Sequence, residues 1–168
     1  MKIYYQKTPS PVGDIYIVAD NKHLRAITFA CNWDAEKKRM GKLSLESNDI
    51  IRQAKTQLKE YFAMERTEFN LPISFSGTEF QEKTWRALLT IPYGETRSYS
   101  EQAMLIDNPK AVRAVGRTNG LNPIAIIAPC HRVIGKSGKL TGYAGGLDIK
   151  KFLLDLESRK NSGDGSVE

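Results

Sequence analysis

Residues 124–135 read IAIIAPCHRVIG, and this stretch is the most informative part of the sequence for the fold. Its apolar run stops at Pro129, which predicts a buried strand or extended segment that delivers Cys130 into an interior. A thiol is a strong nucleophile when it is a thiolate, so it needs a proton acceptor or a positive charge beside it. His131 is the candidate acceptor and Arg132 the candidate charge, and with His131 adjacent we expect the pKa of Cys130 to be lowered.

The residue types in this stretch do not by themselves decide whether Cys130 is a reactive nucleophile. Adjacent side chains on a strand point to opposite faces, so contact between Cys130 and His131 requires a turn or a bridging water. An acidic group should then orient the imidazole, and the candidate is Glu157 in the last predicted helix. The alternative is that Cys130 is an inert buried cysteine, which is a common fate of free cysteines.

Two short helices are predicted on the N-terminal side of this stretch. They cover residues 100–105 and 110–118, and the sequence Ile-Asp-Asn-Pro at 106–109 breaks the chain between them. This arrangement is typical of a helix-turn-helix. Ala114 and Gly116 are small, which would let the backbone of the second helix come close to a duplex.

Positive charge is concentrated in the same region. The chain has a net charge of +6, and residues 108–147 contain no Asp or Glu. Six cations fall in this range: Lys110, Arg113, Arg117, Arg132, Lys136 and Lys139. The first three recur at i, i+3 and i+7 and predict one basic stripe on the second helix. Such a segment suits a phosphate backbone; a solvated basic face is the alternative.

Residues 1–72 are predicted to form an N-terminal scaffold domain of α/β type. Segments 2–7, 14–19 and 24–29 are rich in β-branched and aromatic residues and are separated by turn signals, which predicts three antiparallel strands. A helix is expected over residues 49–64, capped by Ser47 or Asn48.

Residues 73–160 are predicted to form a second, mainly helical domain that contains the helix-turn-helix and resembles a winged helix. Thr78 and Gln81 have the spacing of a capping box at the start of its first helix. A last helix is expected over residues 148–158, and residues 161–168 form a polar tail that we expect to be disordered. The predicted fold class is therefore α/β, of the α+β type.

The composition is that of a globular protein, with 40% hydrophobic and 26% charged residues. The apolar runs are too short to cross a membrane, and residues 1–7 turn polar too soon for a secretory signal. We therefore expect a cytoplasmic protein with Cys31 and Cys130 as free thiols. His23 and Cys31 supply at most half of a four-ligand zinc site, so we predict no metal.

Six motifs together match the pattern of one family. They are IPYG at 91–94, Tyr99, AVRAVG at 111–116, the stretch 124–135, TGYAGGL at 141–147 and the segment 150–157. With these motifs the chain resembles the O6-alkylguanine-DNA alkyltransferases, or methylated-DNA–protein-cysteine methyltransferases. The resemblance covers about residues 78–157, and the Pro-Cys-His-Arg-Val core within it is highly specific to this family.

The resemblance implies direct repair of double-stranded DNA that contains O6-alkylguanine. The alkyl group moves irreversibly to Cys130 in one turnover, with no cofactor and no obligate protein partner, and the protein acts as a monomer. His131 is implied as the base, acting through a water, and Glu157 holds its other nitrogen. O4-alkylthymine is an open second substrate.

The resemblance also implies how DNA is held. Arg113 enters the minor groove and occupies the space of the flipped guanosine, and Tyr99 turns the 3′ phosphate. Asn122 pins the segment that carries Cys130, and Tyr143 bonds the purine. The remaining implied substrate- and DNA-binding residues are Ala114, Arg117, Ala144 and Gly145. Ala144 stands where some members have a serine, which leaves the alkyl preference open.

Two other classes of protein share some of these features. A helix-turn-helix regulator or an alkyltransferase-like damage sensor would bind DNA without chemistry, but such sensors lack the acceptor that is present here as Cys130. A cysteine hydrolase that uses Cys130 and His131 would leave the basic stripe around Arg113 without a purpose.

Overall fold

The computed structural model describes the backbone of residues 2–166 and the side chains of residues 2–159. The chain forms two compact units, of which the first comprises Met1–Phe75 and Pro123–Ala125 and the second Ser76–Asn122 and Ile126–Glu168. Mixed α and β structure confirms the predicted fold class. The assignment of Pro123–Ala125 to the first unit has no counterpart in the sequence patterns.

The first unit contains a sheet with strand order β3-β2-β1-β4. The strands β1 (Tyr4–Thr8), β2 (Ile15–Ala19) and β3 (Leu24–Phe29) are antiparallel, as predicted. The sheet has one strand more than the three predicted, because β4 (Ser44–Leu45) pairs in parallel with β1. Two residues are too few for an alternating pattern to show in sequence.

Two helices belong to the first unit, α1 (Ala30–Met40) and α2 (Asp49–Phe62). The start of α2 was predicted correctly, and the Asn48 side chain caps it by accepting a hydrogen bond from Ile51 N at 2.9 Å. No pattern predicted α1, because Trp33 is its one buried residue and its first turn has no side-chain cap. A helix that is polar nearly all round shows no 3.6-residue periodicity.

The second unit begins with three helices: α3 (Glu79–Leu88), α4 (Tyr99–Leu105) and α5 (Val112–Asn119). The predicted capping box of Thr78 and Gln81 is present at the start of α3. A small apolar core joins the three helices through Ala87, Ala103, Ile106 and Val115. The pair α4–α5 is the predicted helix-turn-helix.

A buried amide pair holds α4 against α5. Gln102 Nε2 donates to Asn119 Oδ1 at 3.0 Å, and Asn119 Nδ2 donates back to Gln102 Oε1 at 2.7 Å. Both side chains are buried, so the pair fixes the helices in one arrangement. The predicted start of the second helix was wrong, because α5 begins at Val112 and Lys110 lies in the turn before it.

The segment that leads to Cys130 is buried, but it is not the predicted strand. Ile124 makes one parallel bridge to Ile27, and the chain then turns over residues 125–127. Ile126 is 1% exposed and has a φ of 71°, a left-handed conformation that is strained for a β-branched residue. Propensity alone would not select a turn in this apolar sequence.

Past this turn, Cys130–Arg132 form one turn of 3₁₀ helix, and β6 (Val133–Ile134) pairs in parallel with β5 (Arg97–Ser98). The last helix, α6 (Leu147–Ser166), runs beyond the predicted end at residue 158. The disorder expected for residues 161–168 was wrong for residues 161–166, because α6 continues through them, and Val167 and Glu168 lie outside the described residues. Within residues 2–166, no helix is both long and apolar enough to span a membrane.

Candidate active site

Cys130 lies at the start of the 3₁₀ turn and is 7% exposed. The Asn122 amide reaches it from the end of the helix-turn-helix: Nδ2 donates to Ala128 O at 2.7 Å and contacts Cys130 Sγ at 3.2 Å. One side chain therefore closes the loop from residue 122 to residue 128 and touches the thiol. The resemblance had implied that Asn122 holds this segment.

Behind the thiol lies a buried triad of charged and polar groups. His131 Nε2 is 2.6 Å from Glu157 Oε2, and the imidazole is fully buried. Arg132 Nε donates to Glu157 Oε1 at 2.8 Å, and Arg132 Nη1 donates to Ile91 O at 2.6 Å. The sequence spacing of 26 residues between His131 and Glu157 is bridged by the packing of α6 against the 3₁₀ turn.

The protonation of this triad follows from its surroundings. Burial, together with the charges of Arg132 and Lys150, lowers the pKa of His131 against the opposing effect of Glu157, so the imidazole is neutral at pH 7. Burial acts to raise the pKa of Glu157, but His131 and Arg132 outweigh it and hold this pKa below its usual range. Glu157 is therefore a carboxylate, and the imidazole proton sits on Nε2, where it is donated to Glu157.

This tautomer leaves Nδ1 of His131 as a proton acceptor. The atom is buried and has no hydrogen-bond partner among the residues that the structure describes. A buried acceptor without a partner is costly, so such an atom favours a water or a substrate group beside it. The arrangement can take a proton from a thiol through one water, because the 3₁₀ turn supplies the departure from strand geometry that this route requires.

The expected lowering of the Cys130 pKa was wrong for the free protein. Burial raises the pKa of the Cys130 thiol, and this outweighs the Asn122 hydrogen bond and the charge of Lys150, which both lower it. Arg132 does not supply the charge, since its guanidinium is taken up by Glu157 and Ile91 O. Burial and tertiary pairing are not visible in the sequence, and they reverse the direction expected for the shift in the Cys130 pKa.

Lys150 is a site residue that the sequence analysis missed. Its side chain is fully buried, and Nζ donates to Val133 O at 2.7 Å and to Thr141 O at 3.0 Å. Burial lowers its pKa. A signal was present, because Lys150, Leu153 and Glu157 recur at i, i+3 and i+7 on the buried face of α6. A lysine on an apolar helix face marks a buried charge.

The second unit also contains an open pocket of about 510 Å³. Its walls come from the helix-turn-helix and the loop before α6: Tyr99, Val112, Arg113, Gly116, Arg117, Gly120, Thr141, Gly142, Tyr143 and Ala144. Five of the eight predicted substrate- and DNA-binding residues thus line one space, and the other three, Ala114, Asn122 and Gly145, are not among its lining residues.

Tyr143 connects this pocket with the thiol. Its hydroxyl oxygen is buried, and the hydroxyl interacts with Cys130. Burial, with the neighbouring charges, raises the pKa of Tyr143 well above its usual range, so the hydroxyl keeps its proton and can donate it in a hydrogen bond. Arg113 and Arg117 are exposed at the pocket rim, which gives this mouth a positive charge.

No metal-binding group of three or more His, Cys, Asp or Glu side chains occurs in the part of the chain that the structure describes. Cys31 is exposed on α1. That the protein takes no metal and no cofactor stays a prediction.

Both units match known families. Residues 79–159 match the DNA binding domain of 6-O-methylguanine DNA methyltransferase, and residues 3–75 match its ribonuclease-like domain. A methylated-DNA–protein-cysteine methyltransferase of Methanosarcina acetivorans is 50% identical over 92% of this chain and 98% of its own length. The constitutive one of Bacillus subtilis is 44% identical over 92% of this chain and 94% of its own.

Solved structures agree with these matches. The O6-methylguanine methyltransferase of Mycobacterium tuberculosis superimposes with a TM-score of 0.86 at 45% identity, covering 94% of each chain. A structure of Mycobacterium tuberculosis OGT in complex with DNA gives a TM-score of 0.85 at 46% identity, again over 94% of each chain. With both domains matched, the chain belongs to the 6-O-methylguanine DNA methyltransferases, the methylated-DNA–protein-cysteine methyltransferases.

Proposed function

We propose that this protein repairs DNA by moving the alkyl group from O6 of guanine in a duplex to Cys130 Sγ, once per molecule. The observation that carries the proposal is a buried thiol, Cys130, that directly precedes a neutral, carboxylate-bound imidazole in one 3₁₀ turn. His131 Nδ1 is free of a partner among the described side chains, and Nε2 is held by Glu157 at 2.6 Å. This is the arrangement of a nucleophile with its general base.

The first step is the loss of the thiol proton. The raised pKa of Cys130 keeps the resting thiol protonated, and the proton passes through a water to His131 Nδ1 as the substrate arrives. The imidazolium that forms is stabilised by the Glu157 carboxylate, which remains ionised because Arg132 and His131 hold its pKa low. Lys150 supplies the positive charge that favours the thiolate.

The thiolate then displaces the guanine in an in-line substitution. The Sγ–carbon bond forms as the carbon–O6 bond breaks, and the bonding electron pair leaves with the purine. The purine takes up one proton from water and the His131 imidazolium returns its proton to water, so the products are a thioether on Cys130, an unmodified guanine and a neutral imidazole. Tyr143 lies beside the thiol and keeps its proton, and in this scheme its hydroxyl donates a hydrogen bond to the departing purine. Because the thioether is stable, one molecule performs one turnover.

The base must leave the stack before this chemistry, at a cost of about a few kcal/mol. The pocket of about 510 Å³ offers the space for an extruded base. Arg113 lies at its rim and in this proposal enters the minor groove to fill the gap. Tyr99 turns the 3′ phosphate, and Arg117 contributes charge toward the backbone.

The remaining proposals concern which alkylated bases the protein accepts and whether it acts as a monomer. Ala144 lines the pocket, with a methyl group where some relatives place a hydroxyl, so the wall accepts apolar alkyl groups. Ala114 and Gly145 do not line the pocket, and they remain proposed contacts of the substrate or DNA. Duplex DNA is the proposed partner, and the protein acts as a monomer without a cofactor. O4-alkylthymine is a proposed second substrate for the same pocket.

Intact mass spectrometry tests the proposal directly. After incubation with a duplex that holds one O6-methylguanine, the protein should gain one methyl group in stoichiometric amount. Cys130→Ser should gain none, while Cys31→Ser, which alters the exposed second thiol, should gain as much as the wild type. Binding to the damaged duplex without any gain of mass would favour a damage sensor and contradict the repair function.

A further inference from the structure

Tyr99 occupies a junction of four elements in the second unit. It is the first residue of α4, and a Cβ at Gly116 of α5 would lie 3.7 Å from its ring. Lys150 Nζ of α6 lies 5.9 Å from the ring centroid. From the loop before α6, Thr141 Oγ1 donates a hydrogen bond to Tyr99 Oη at 2.9 Å. The ring and its hydroxyl are therefore held from separate directions.

The loop that carries Thr141 is itself anchored. Gly135 N donates to Lys139 O at 2.7 Å, and a Cβ at Gly135 would lie 2.9 Å from that oxygen, so this close turn requires glycine. The Thr141 carbonyl accepts from Lys150 Nζ at 3.0 Å, and the same nitrogen donates to Val133 O at 2.7 Å. Lys150 thus ties the Thr141 backbone to the strand that follows the Cys130 turn.

In the hydrogen bond between these two hydroxyls Thr141 is the donor and Tyr99 the acceptor, and this has a chemical consequence. A phenol has one proton to donate, and an acceptor role toward Thr141 leaves that proton available. Among the residues that the structure describes, Tyr99 Oη has no other hydrogen-bond partner. Accepting one hydrogen bond also strengthens a hydroxyl as a donor. The phenol is therefore a preoriented donor on a residue that lines the same pocket as Arg113 and Tyr143.

We propose that Thr141 is a positioning residue for alkyl transfer: its hydroxyl fixes the Tyr99 phenol as a donor toward the incoming nucleotide. The inference rests on the proposed function and adds a residue to which no role had been given. Thr141 acts through Tyr99 and need not touch the reacting atoms. The group that receives the phenol proton is a phosphate or a base edge of the damaged strand.

A double-variant cycle tests the coupling. The rate of methyl transfer at saturating protein, and the dissociation constant for the damaged duplex, are measured for Thr141→Val, Tyr99→Phe and the double variant. Thr141→Val removes the hydroxyl at nearly constant volume, and we expect it to slow transfer about three- to tenfold, as for the loss of one hydrogen bond. The dissociation constant should change less than the rate. In the Tyr99→Phe background the same change should have almost no effect.

Two controls separate positioning from a structural role. Thr141→Ser keeps the hydroxyl and should restore the rate, and Thr141→Ala provides a second removal of the hydroxyl should the valine variant fold poorly. Thr90→Val loses a similar hydroxyl bond, to Ala87 O, outside the pocket lining and should react like the wild type. Equal slowing by Thr141→Val in both backgrounds, or no slowing, would overturn the inference. A wild type that takes up no methyl group would instead refute the repair function.

Discussion

Cys130 is surrounded by groups that act in opposite directions on its proton. Burial favours the thiol, whereas the Asn122 amide and the Lys150 charge favour the thiolate. Because burial dominates, the thiol keeps its proton in the protein at rest, and in the proposed mechanism the thiolate forms when His131 accepts that proton. A buried thiol that ionises on demand is protected from oxidation and from chance alkylation.

The pH dependence of thiol alkylation tests this balance. In a Cys31→Ser background, Cys130 is the sole thiol of the 168 residues, so its reaction with iodoacetamide can be followed alone. The rate should still be rising at pH 9.0, the ordinary cysteine pKa, because the midpoint lies above that value. Lys150→Met removes the nearby charge and should move the midpoint higher still.

A neighbouring lysine provides the control for that change. Lys151 is exposed and pairs with Asp155, so Lys151→Met should leave the profile unchanged. A midpoint at or below pH 9.0 in the parent protein, or a downward shift in Lys150→Met, would contradict the assignment of the charges.

Glu157 holds two buried partners, and its charge should matter for stability as well as for chemistry. Glu157→Gln keeps the shape but leaves the Arg132 guanidinium buried without its carboxylate. The expected loss is about 3–5 kcal/mol in the free energy of unfolding, measured with urea at pH 7. Methyl transfer should slow too, since nothing then stabilises the imidazolium.

An exposed ion pair gives the comparison. In the pair of Lys2 and Glu46 both side chains are 51% exposed, so Glu46→Gln should cost less than about 1 kcal/mol. A similarly small loss for Glu157→Gln would mean that the buried triad contributes little to folding.

At the scale of elements, α4 and α5 present the pocket and the basic rim as one rigid piece. The Gln102–Asn119 amide pair and the Trp85 indole, which donates to Thr118 O at 2.9 Å, tie the end of α5 to α4 and α3. In the proposed mechanism this rigidity matters, because an inserted side chain offsets the cost of base flipping better when it is held in place beforehand.

Arg113→Ala tests the part played by α5. We expect transfer from duplex DNA to slow by about ten- to a hundredfold, which corresponds to about 1.4–2.7 kcal/mol in activation free energy. Base flipping costs roughly a few kcal/mol, so this loss would be a large part of that cost. Transfer from free O6-methylguanine should change little, because no flipping is needed. Arg52→Ala, at an exposed position of α2, is the control. Equal slowing with duplex and free base would contradict the groove-filling role.

At the scale of the whole molecule, charge is distributed unevenly along the chain. The net charge is +6, and all the acidic residues lie outside residues 108–147, the range that includes α5, Cys130 and the pocket loop. A polyanion is therefore attracted to the part of the chain that carries Cys130 and the pocket loop.

Salt dependence measures this attraction. The logarithm of the DNA-binding constant should fall linearly with the logarithm of salt concentration, by about 0.9 for each phosphate contact. Arg117→Ala should reduce the slope by about one contact, and Arg52→Ala should leave it unchanged. A slope that is the same in the wild type and in Arg117→Ala would exclude a phosphate contact at this residue.

The sequence alone determined the features that short-range patterns encode. Segments rich in β-branched and aromatic residues, separated by turn signals, predicted β1 to β3, and capping residues predicted the starts of α2 and α3. The break at 106–109 predicted the helix-turn-helix, and the adjacency of Cys130 and His131 identified the candidate nucleophile and base. Each of these depends on residues within a few positions of one another, so a linear pattern is sufficient.

The tertiary structure decided what depends on distant residues and on burial. Ile126 turns where an apolar run predicts a strand, because the Asn122 amide closes the loop on Ala128 O. Burial reversed the expected pKa shift of Cys130, and Lys150 took the place of Arg132 as the nearby charge. Desolvation and hydrogen bonds across many residues have no local signature, and the chemistry of this site depends on both.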